Sequence, residues 1–262
     1  PGPDGVLGET VKCAPPAAHA LLHSLFRRFW AEAYLPSCFR ASRTVLLYKK
    51  GDPTLPGNYR PIALANTLAK TYTMAVTSLL SEAAEEHAML SAGQEGFRPL
   101  RHTTRQIRKV TSALEDAQLA RRDVCVTYVD FSSAFNTVPH EGLLSVMGDM
   151  GFPADAVRAV GAIYDGAVTH FVTPHGDTRD IPILRGTIQG DCLSPLLWNI
   201  FMDPLLRWLE AGDRGYRYST STAVTSAAAY ADDLALLTES RADARAQMAK
   251  VCRYADWAGL SV

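Results

Sequence analysis

A chain of 262 residues is long enough for one large domain or two interleaved lobes with a proper core, and its 47% hydrophobic and 20% charged residues are ordinary for a globular protein. No stretch is apolar for long enough to span a bilayer, and five scattered cysteines without a C-x-x-C argue against a zinc site or disulfide framework and suit a reducing compartment. The net charge of −1 gives no overall electrostatic pull toward nucleic acid, and the opening Pro1-Gly2-Pro3-Asp4-Gly5 is no signal peptide but reads as the edge of a larger protein.

In chain order, residues 16–33 carry Leu21, Leu22, Leu25, Phe26 and Phe29 at helical spacing, with Pro36 as the stop. Residues 44–48 are β-branched and apolar and run through a Gly/Pro-rich loop to a second short strand at 59–64, which predicts a hairpin with Lys49 on one arm and Arg60 on the other. Asn66 or Thr67 can cap a helix reaching about His87, and Thr103 or Thr104 one reaching Ala120. Between Arg98 and Arg122 the basic residues Arg98, Arg101, Arg105, Arg108, Lys109, Arg121 and Arg122 face only Glu115 and Asp116, a pattern of a solvated helix face or a phosphate track.

Residues 125–129 form a buried-strand run ending on Asp130. Helical patterns follow at 140–150 and 154–164, then strand-like segments at 167–173 and 180–184. Gly190-Asp191 opens a strongly apolar helix at 193–209, strands are expected at 216–218 and 224–230, and a last helix at 242–258 stops at Gly259. Strands and helices alternate irregularly, which gives an α+β class.

Two apolar stretches, residues 227–229 and 234–237, flank Tyr230-Ala231-Asp232-Asp233 and predict a β-hairpin with adjacent carboxylates at its tip. A lone Asp-Asp pair is usually a solvated turn. A third carboxylate at a strand end, Asp130, changes its meaning, because hard oxygen ligands gathered at strand ends suit Mg²⁺ or Mn²⁺. Such a trio can complete a site for two cations about 4 Å apart.

With these residues in view the chain resembles, over essentially its whole length, the reverse transcriptase domain of non-LTR (LINE-type) retrotransposons. The matching blocks occur in the family's order. They are Pro1-Gly2-Pro3-Asp4-Gly5-Val6, Asn58-Tyr59-Arg60-Pro61-Ile62 within residues 49–64, and Gln94-Glu95-Gly96-Phe97-Arg98. Next come Tyr128-Val129-Asp130-Phe131-Ser132-Ser133-Ala134-Phe135, then Gly186-Thr187-Ile188-Gln189-Gly190-Asp191-Cys192-Leu193-Ser194-Pro195, and last Tyr230-Ala231-Asp232-Asp233.

The resemblance implies a right-hand polymerase of fingers and palm, with residues 1–122 finger-like and 123–262 the palm, finger-side segments interleaved. It implies RNA-directed DNA synthesis from an RNA template, a DNA primer or target and dNTPs, with two Mg²⁺ (or Mn²⁺) ions. Asp130, Asp232 and Asp233 are its catalytic metal ligands, Asp233 the weaker. Lys49 and Arg60 hold the incoming triphosphate, as cations opposite phosphate oxygens. Phe135 is the sugar-selecting aromatic, and Gln189 contacts nucleotide and template beside Gly190, where the backbone can approach closely. Arg98, Arg101 and Arg105 are template or phosphate contacts.

By the same resemblance the intact protein is the polyprotein of a retrotransposon, with a thumb and an endonuclease, acting in nucleus and cytoplasm and needing no membrane. Residues 1–262 alone are expected to polymerise poorly or not at all. Ser133, Asn136, Ile188 and Cys192 depart from the family's commonest wording, at positions where Lys, Asp, Arg and Pro are frequent. A group II intron or retron-type reverse transcriptase is the alternative within the same chemistry, and an inactive RNA-binding scaffold the alternative outside it.

Overall fold

The structure, a computed structural model, describes residues 2–262. The first half contains α1 (Gly8–Lys12), α2 (Pro16–Glu32), α3 (Ser37–Arg40), β1 (Ala41–Tyr48), β2 (Tyr59–Ala65), α4 (Thr67–Glu86), α5 (Thr103–Ala120), β3 (Cys125–Val129) and α6 (Ala134–Thr137). Then come α7 (His140–Asp149), α8 (Ala154–Tyr164), β4 (Val168–Thr173), β5 (Gly176–Asp177), β6 (Ile181–Pro182) and α9 (Ser194–Glu210). Last are β7 (Tyr216–Arg217), β8 (Val224–Thr225), β9 (Ala227–Tyr230), β10 (Asp233–Thr238) and α10 (Arg241–Ala258).

The described residues form two compact units. One runs to Leu80 and adds Pro139–Ser194, and the other joins Ser81–Val138 to Pro195–Val262. Position 122/123 lies inside the second unit, where Val110, Ala113 and Ala117 of α5 pack with strand residues Ala228, Ala235 and Leu237.

In the first unit β1 is the central strand. It pairs antiparallel with β2, from Ser42↔Ala65 to Tyr48↔Tyr59, and parallel with β4, from Ala41↔Val168 to Thr44↔Phe171. Where the paired strands bury hydroxyls, Thr44 and Thr169 satisfy each other at 2.7 Å, as burial of polar groups requires. Helix α2 starts on Pro16, which is preset for a first helical turn. It ends at Ala33 in the left-handed conformation, three residues before the expected stop, and Pro36 instead precedes α3. Phe29 of α2 packs edge-on against Phe39 (5.0 Å) and Tyr72 of α4 (5.9 Å). Trp30 donates to Asp155 at 2.8 Å and ties α2 to α8.

In the second unit β3, β10 and β9 form an antiparallel sheet in that order. Strand side chains alternate between faces. Ala228, Ala235 and Leu237 therefore share one face, where Ala113 and Ala117 of α5 bring the helix close to the strands. Helix α10 packs on β10 and β3. Helix α9 is buried almost all round, with Leu197, Trp198, Ile200, Phe201, Leu205, Leu206 and Leu209 each at 0% exposure, the mark of a central core helix. Gln247 of α10 donates to the Leu209 carbonyl at 3.0 Å. A buried polar knot holds the β7 end: Asp116 accepts from Tyr216 (2.7 Å) and from the Ser219 hydroxyl (2.6 Å). Those bonds lower the Asp116 carboxyl, while burial and then Asp116 push the Tyr216 phenol up to about 12.

Candidate active site

The second unit brings the three aspartates to one end of its sheet. Leu234 of β10 pairs with Val129 of β3, so Asp130, one step on, stands across from Asp233. Asp233 in turn pairs with Tyr230 of β9, which leaves Ala231-Asp232 as a two-residue loop. Opposed positions on antiparallel strands lie within roughly 5.5 Å. The position given the lesser role by the resemblance, Asp233, is thus the one directly opposite Asp130, with Asp232 in the turn. Asp130 and Asp233 are exposed and Asp232 is half-buried. Among the described residues no three His, Cys, Asp or Glu side chains already converge tightly enough to hold a metal ion. The trio shares a strand end but does not form a closed cage.

Asp130 and Asp233 line the end of a groove of about 550 Å³ between α5 and the sheet. Its walls include Ile107, Leu114, Tyr128 and Tyr230. Tyr128 is 77% exposed and Ile107 61%, so an aromatic and apolar surface runs up to the carboxylates.

Beyond Asp130 the chain makes a sharp turn in which Ser133 is left-handed (φ 53°) and α6 begins. Phe131 is buried against Trp198 at 6.2 Å. Phe135, half-buried, rests on Trp198 at 5.1 Å and meets Phe97 edge-on at 6.4 Å. Phe97 also lies 6.4 Å from Tyr230, is 56% exposed, and adopts φ 57°, an uncommon backbone for a bulky residue. Both Phe97 and Trp198 went without a role in the sequence. The aromatic at 97 belongs to a matched block, but its position beside Phe135 is set by a turn that no local pattern announces.

The basic stretch divides. Arg98 is 7% exposed, and its guanidinium grips Glu85 at 2.6 and 2.8 Å while donating to the Ser91 and Gln94 carbonyls. Arg101 pairs with buried Glu95 at 2.9 Å. Neither is a free phosphate contact, and the expected track is corrected at both: half-buried Glu85 and buried Glu95 hold these cations in the fold rather than leaving them to solvent. Arg105 remains more open, 60% exposed and 3.6 Å from Glu95.

The Arg98 hydrogen bonds hold the Glu85 carboxyl below its ordinary value of 4.5. A lowered folded-state value means stability that is present above 4.5 and lost as pH falls through the lowered value. Glu85→Gln is therefore expected to melt lower than the parent at neutral pH, with the gap closing in acid. Thermal melts across that range check it.

In the first unit Lys49 and Arg60 stand as expected on adjacent arms of one hairpin. The Lys49 amide donates to the Asn58 carbonyl at 2.8 Å and Arg60 pairs with Leu47. By strand alternation the two side chains share a face as diagonal neighbours, and both are exposed. Gln189 joins the same strands: its carbonyl accepts from the Ala63 amide at 2.7 Å. Gly190 has φ 108°, and a Cβ there would lie 2.6 Å from the Ala63 carbonyl oxygen. The close approach at Gly190 is thus to the β2 backbone of the same chain.

Residues 47–262 match the family model of reverse transcriptase (RNA-dependent DNA polymerase). The chain belongs to the reverse transcriptase family. A Pol polyprotein of the retrotransposable element R2DM from Drosophila melanogaster is 28% identical across 100% of the chain, which covers 24% of that protein. The R2 polyprotein of Popillia japonica is 30% identical, again across 100% of the chain and 36% of the relative. A probable RNA-directed DNA polymerase from transposon BS of D. melanogaster is 27% identical over 92% of the chain and 26% of its own length. The chain thus spans a quarter to about a third of these curated relatives.

Among solved structures, apo telomerase from Candida tropicalis superposes with a TM-score of 0.59 at 10% identity, covering 94% of this chain and 48% of that one. The right-hand polymerase fold and the non-LTR retrotransposon affiliation implied by the sequence both hold.

Proposed function

We propose that this chain is the catalytic core of an RNA-directed DNA polymerase, joining deoxynucleotides to a primer 3′-hydroxyl on an RNA template. The observation that carries the reading is the register Val129↔Leu234, which sets Asp130 across from the Asp232-Asp233 hairpin. The carboxylate unit is the palm and the unit bearing Lys49, Arg60 and Gln189 the finger-side part.

The donor set fits divalent cations: three carboxylates at adjoining strand ends repel one another at neutral pH and favour a hard cation between them. Asp130, Asp232 and Asp233 would hold Mg²⁺ or Mn²⁺, which when bound lowers the barrier to attack by a hydroxyl and stabilises the leaving oxygen. Lys49 and Arg60 neutralise the triphosphate, and Gln189 orients the nucleotide against the template. The aromatic groove beside Asp130 and Asp233 suits stacking of a primer's terminal bases. Phe135, fixed from behind by Trp198, sets a rigid ring under the sugar and excludes a 2′-hydroxyl. Partners on this reading are the element's RNA, a DNA primer or target, and the remaining parts of the polyprotein, including a thumb and an endonuclease. The site of action is the nucleus and cytoplasm.

Incorporation of deoxynucleotides on an RNA template, with ribonucleotides rejected, is the expected behaviour of the full-length protein. Phe135→Val is expected to raise ribonucleotide use by about one to two orders of magnitude, in line with 1–3 kcal/mol of steric discrimination. Competition assays with dNTP and rNTP check it, and unchanged sugar selection would remove Phe135 from this role.

A further inference from the structure

The block Gln94-Glu95-Gly96-Phe97-Arg98 matches the family without a role having been attached to its first residue. Gln94 is 1% exposed. Its side-chain oxygen accepts from the amides of Gly96 and Ala231, both at 2.9 Å, and its side-chain nitrogen donates to the Ala231 carbonyl at 3.1 Å. One carboxamide thus holds both polar groups of a single peptide residue, the one between Tyr230 and Asp232.

Ala231 needs that help. It is the first residue of the two-residue loop, so the β9–β10 ladder, which ends at Tyr230↔Asp233, supplies it no partner. It is also left-handed, φ 58°, a conformation costing a non-glycine residue about 1–2 kcal/mol. Such a backbone persists only where its surroundings over-determine it. The surroundings here are rigid. Glu95 donates to the Ala229 carbonyl at 3.0 Å, Ala229 donates to Gly93 at 2.9 Å, and Asn199 donates to Gly96 at 2.7 Å. Gly96 lies so close to the tip that a Cβ would stand 2.3 Å from the Ala231 nitrogen. The orientation of the Ala231 peptide fixes where the next two residues, Asp232 and Asp233, begin.

We propose that Gln94 is the positioning residue of the carboxylate tip: it clamps the left-handed Ala231 peptide and thereby sets the aim of Asp232 and Asp233. The inference rests on the polymerase reading for its consequence, though not for its geometry. A matched comparison exists in the same unit. Gln247 is also buried, at 0%, and donates to the Leu209 carbonyl at 3.0 Å. It joins α10 to the end of α9 and lines neither the groove nor the tip.

The test uses full-length protein and the variants Gln94→Met and Gln247→Met. Amide hydrogen exchange at Ala231, melting temperature, primer–template affinity and single-turnover dNTP incorporation are measured for each. In Gln94→Met, exchange at Ala231 is expected to quicken about tenfold. Incorporation is expected to fall about 10²-fold, the size of a small misplacement of reacting groups, with affinity nearly unchanged. Gln247→Met is expected to lower the melting temperature to a similar degree and keep its incorporation rate. Equal rate losses in the two variants, or an unaltered Ala231 amide in Gln94→Met, would overturn the proposal. Should Gln94→Met fail to fold, Gln94→Glu keeps the length and the acceptor but loses the donor to the Ala231 carbonyl, and the same comparison decides. Absence of incorporation by the parent itself would instead refute the polymerase reading, while hydrogen exchange at Ala231 would still report whether the clamp exists.

Discussion

Asp130→Asn is expected to lower RNA-templated nucleotide incorporation about 10³-fold and leave the melting temperature unchanged or slightly raised. Asparagine keeps the shape and one oxygen but removes the charge. Metal stabilisation of a phosphoryl transition state is worth several kcal/mol, and each factor of ten in rate is about 1.4 kcal/mol. Asp130 is exposed and lies across from Asp233. Its neutralisation relieves like-charge repulsion in the folded state, which is why stability should not suffer. Asp149→Asn, at the exposed end of α7, is the matching control and should retain full activity. Single-turnover incorporation and thermal melts on both variants check the pair.

Trp198→Ala is expected to be the most destabilising single truncation in the carboxylate unit, at about 3–5 kcal/mol. The ring is 0% exposed and touches Phe131, Phe135 and Phe201 at 6.2, 5.1 and 6.5 Å between centroids. Removing it opens a cavity directly beneath the turn that follows Asp130, so loss of stability and loss of incorporation should appear together. Trp198→Phe fills most of the space and gives up an indole nitrogen that has no hydrogen-bond partner, so it should recover most of the loss. Denaturant unfolding of the three proteins measures this, and a truncation costing less than about 1 kcal/mol would contradict the packing account.

The elements that carry the candidate site were legible because their signals are local. The β-branched run ending on Asp130 is strand β3 to the residue, although only Val129 of it is buried, because Tyr128 faces the open groove. The apolar arms around Tyr230-Ala231-Asp232-Asp233 form the hairpin, and Gly259 caps α10 in the left-handed conformation as expected. What was not legible is non-local. The parallel pairing of Ala41–Thr44 with Val168–Phe171 draws residues 139–194 into the first unit, and no periodicity encodes which strand a strand will choose. The same holds for charge. Arg98 looks like part of a basic track, and only the fold brings Glu85 onto its guanidinium. Gln94 is the sharpest case: a glutamine in a matched block carries no hint that its carboxamide closes on a peptide 137 positions away.

The measurement that bears most directly on the account is primer extension on an RNA template, with Mg²⁺ and dNTPs, by the full-length protein beside its Asp232→Asn variant. DNA product from the parent and none from the variant is the predicted result, and it would establish both the polymerase and the place of its carboxylates. Intact RNA binding with no product from either protein, or equal product from both, would contradict the account.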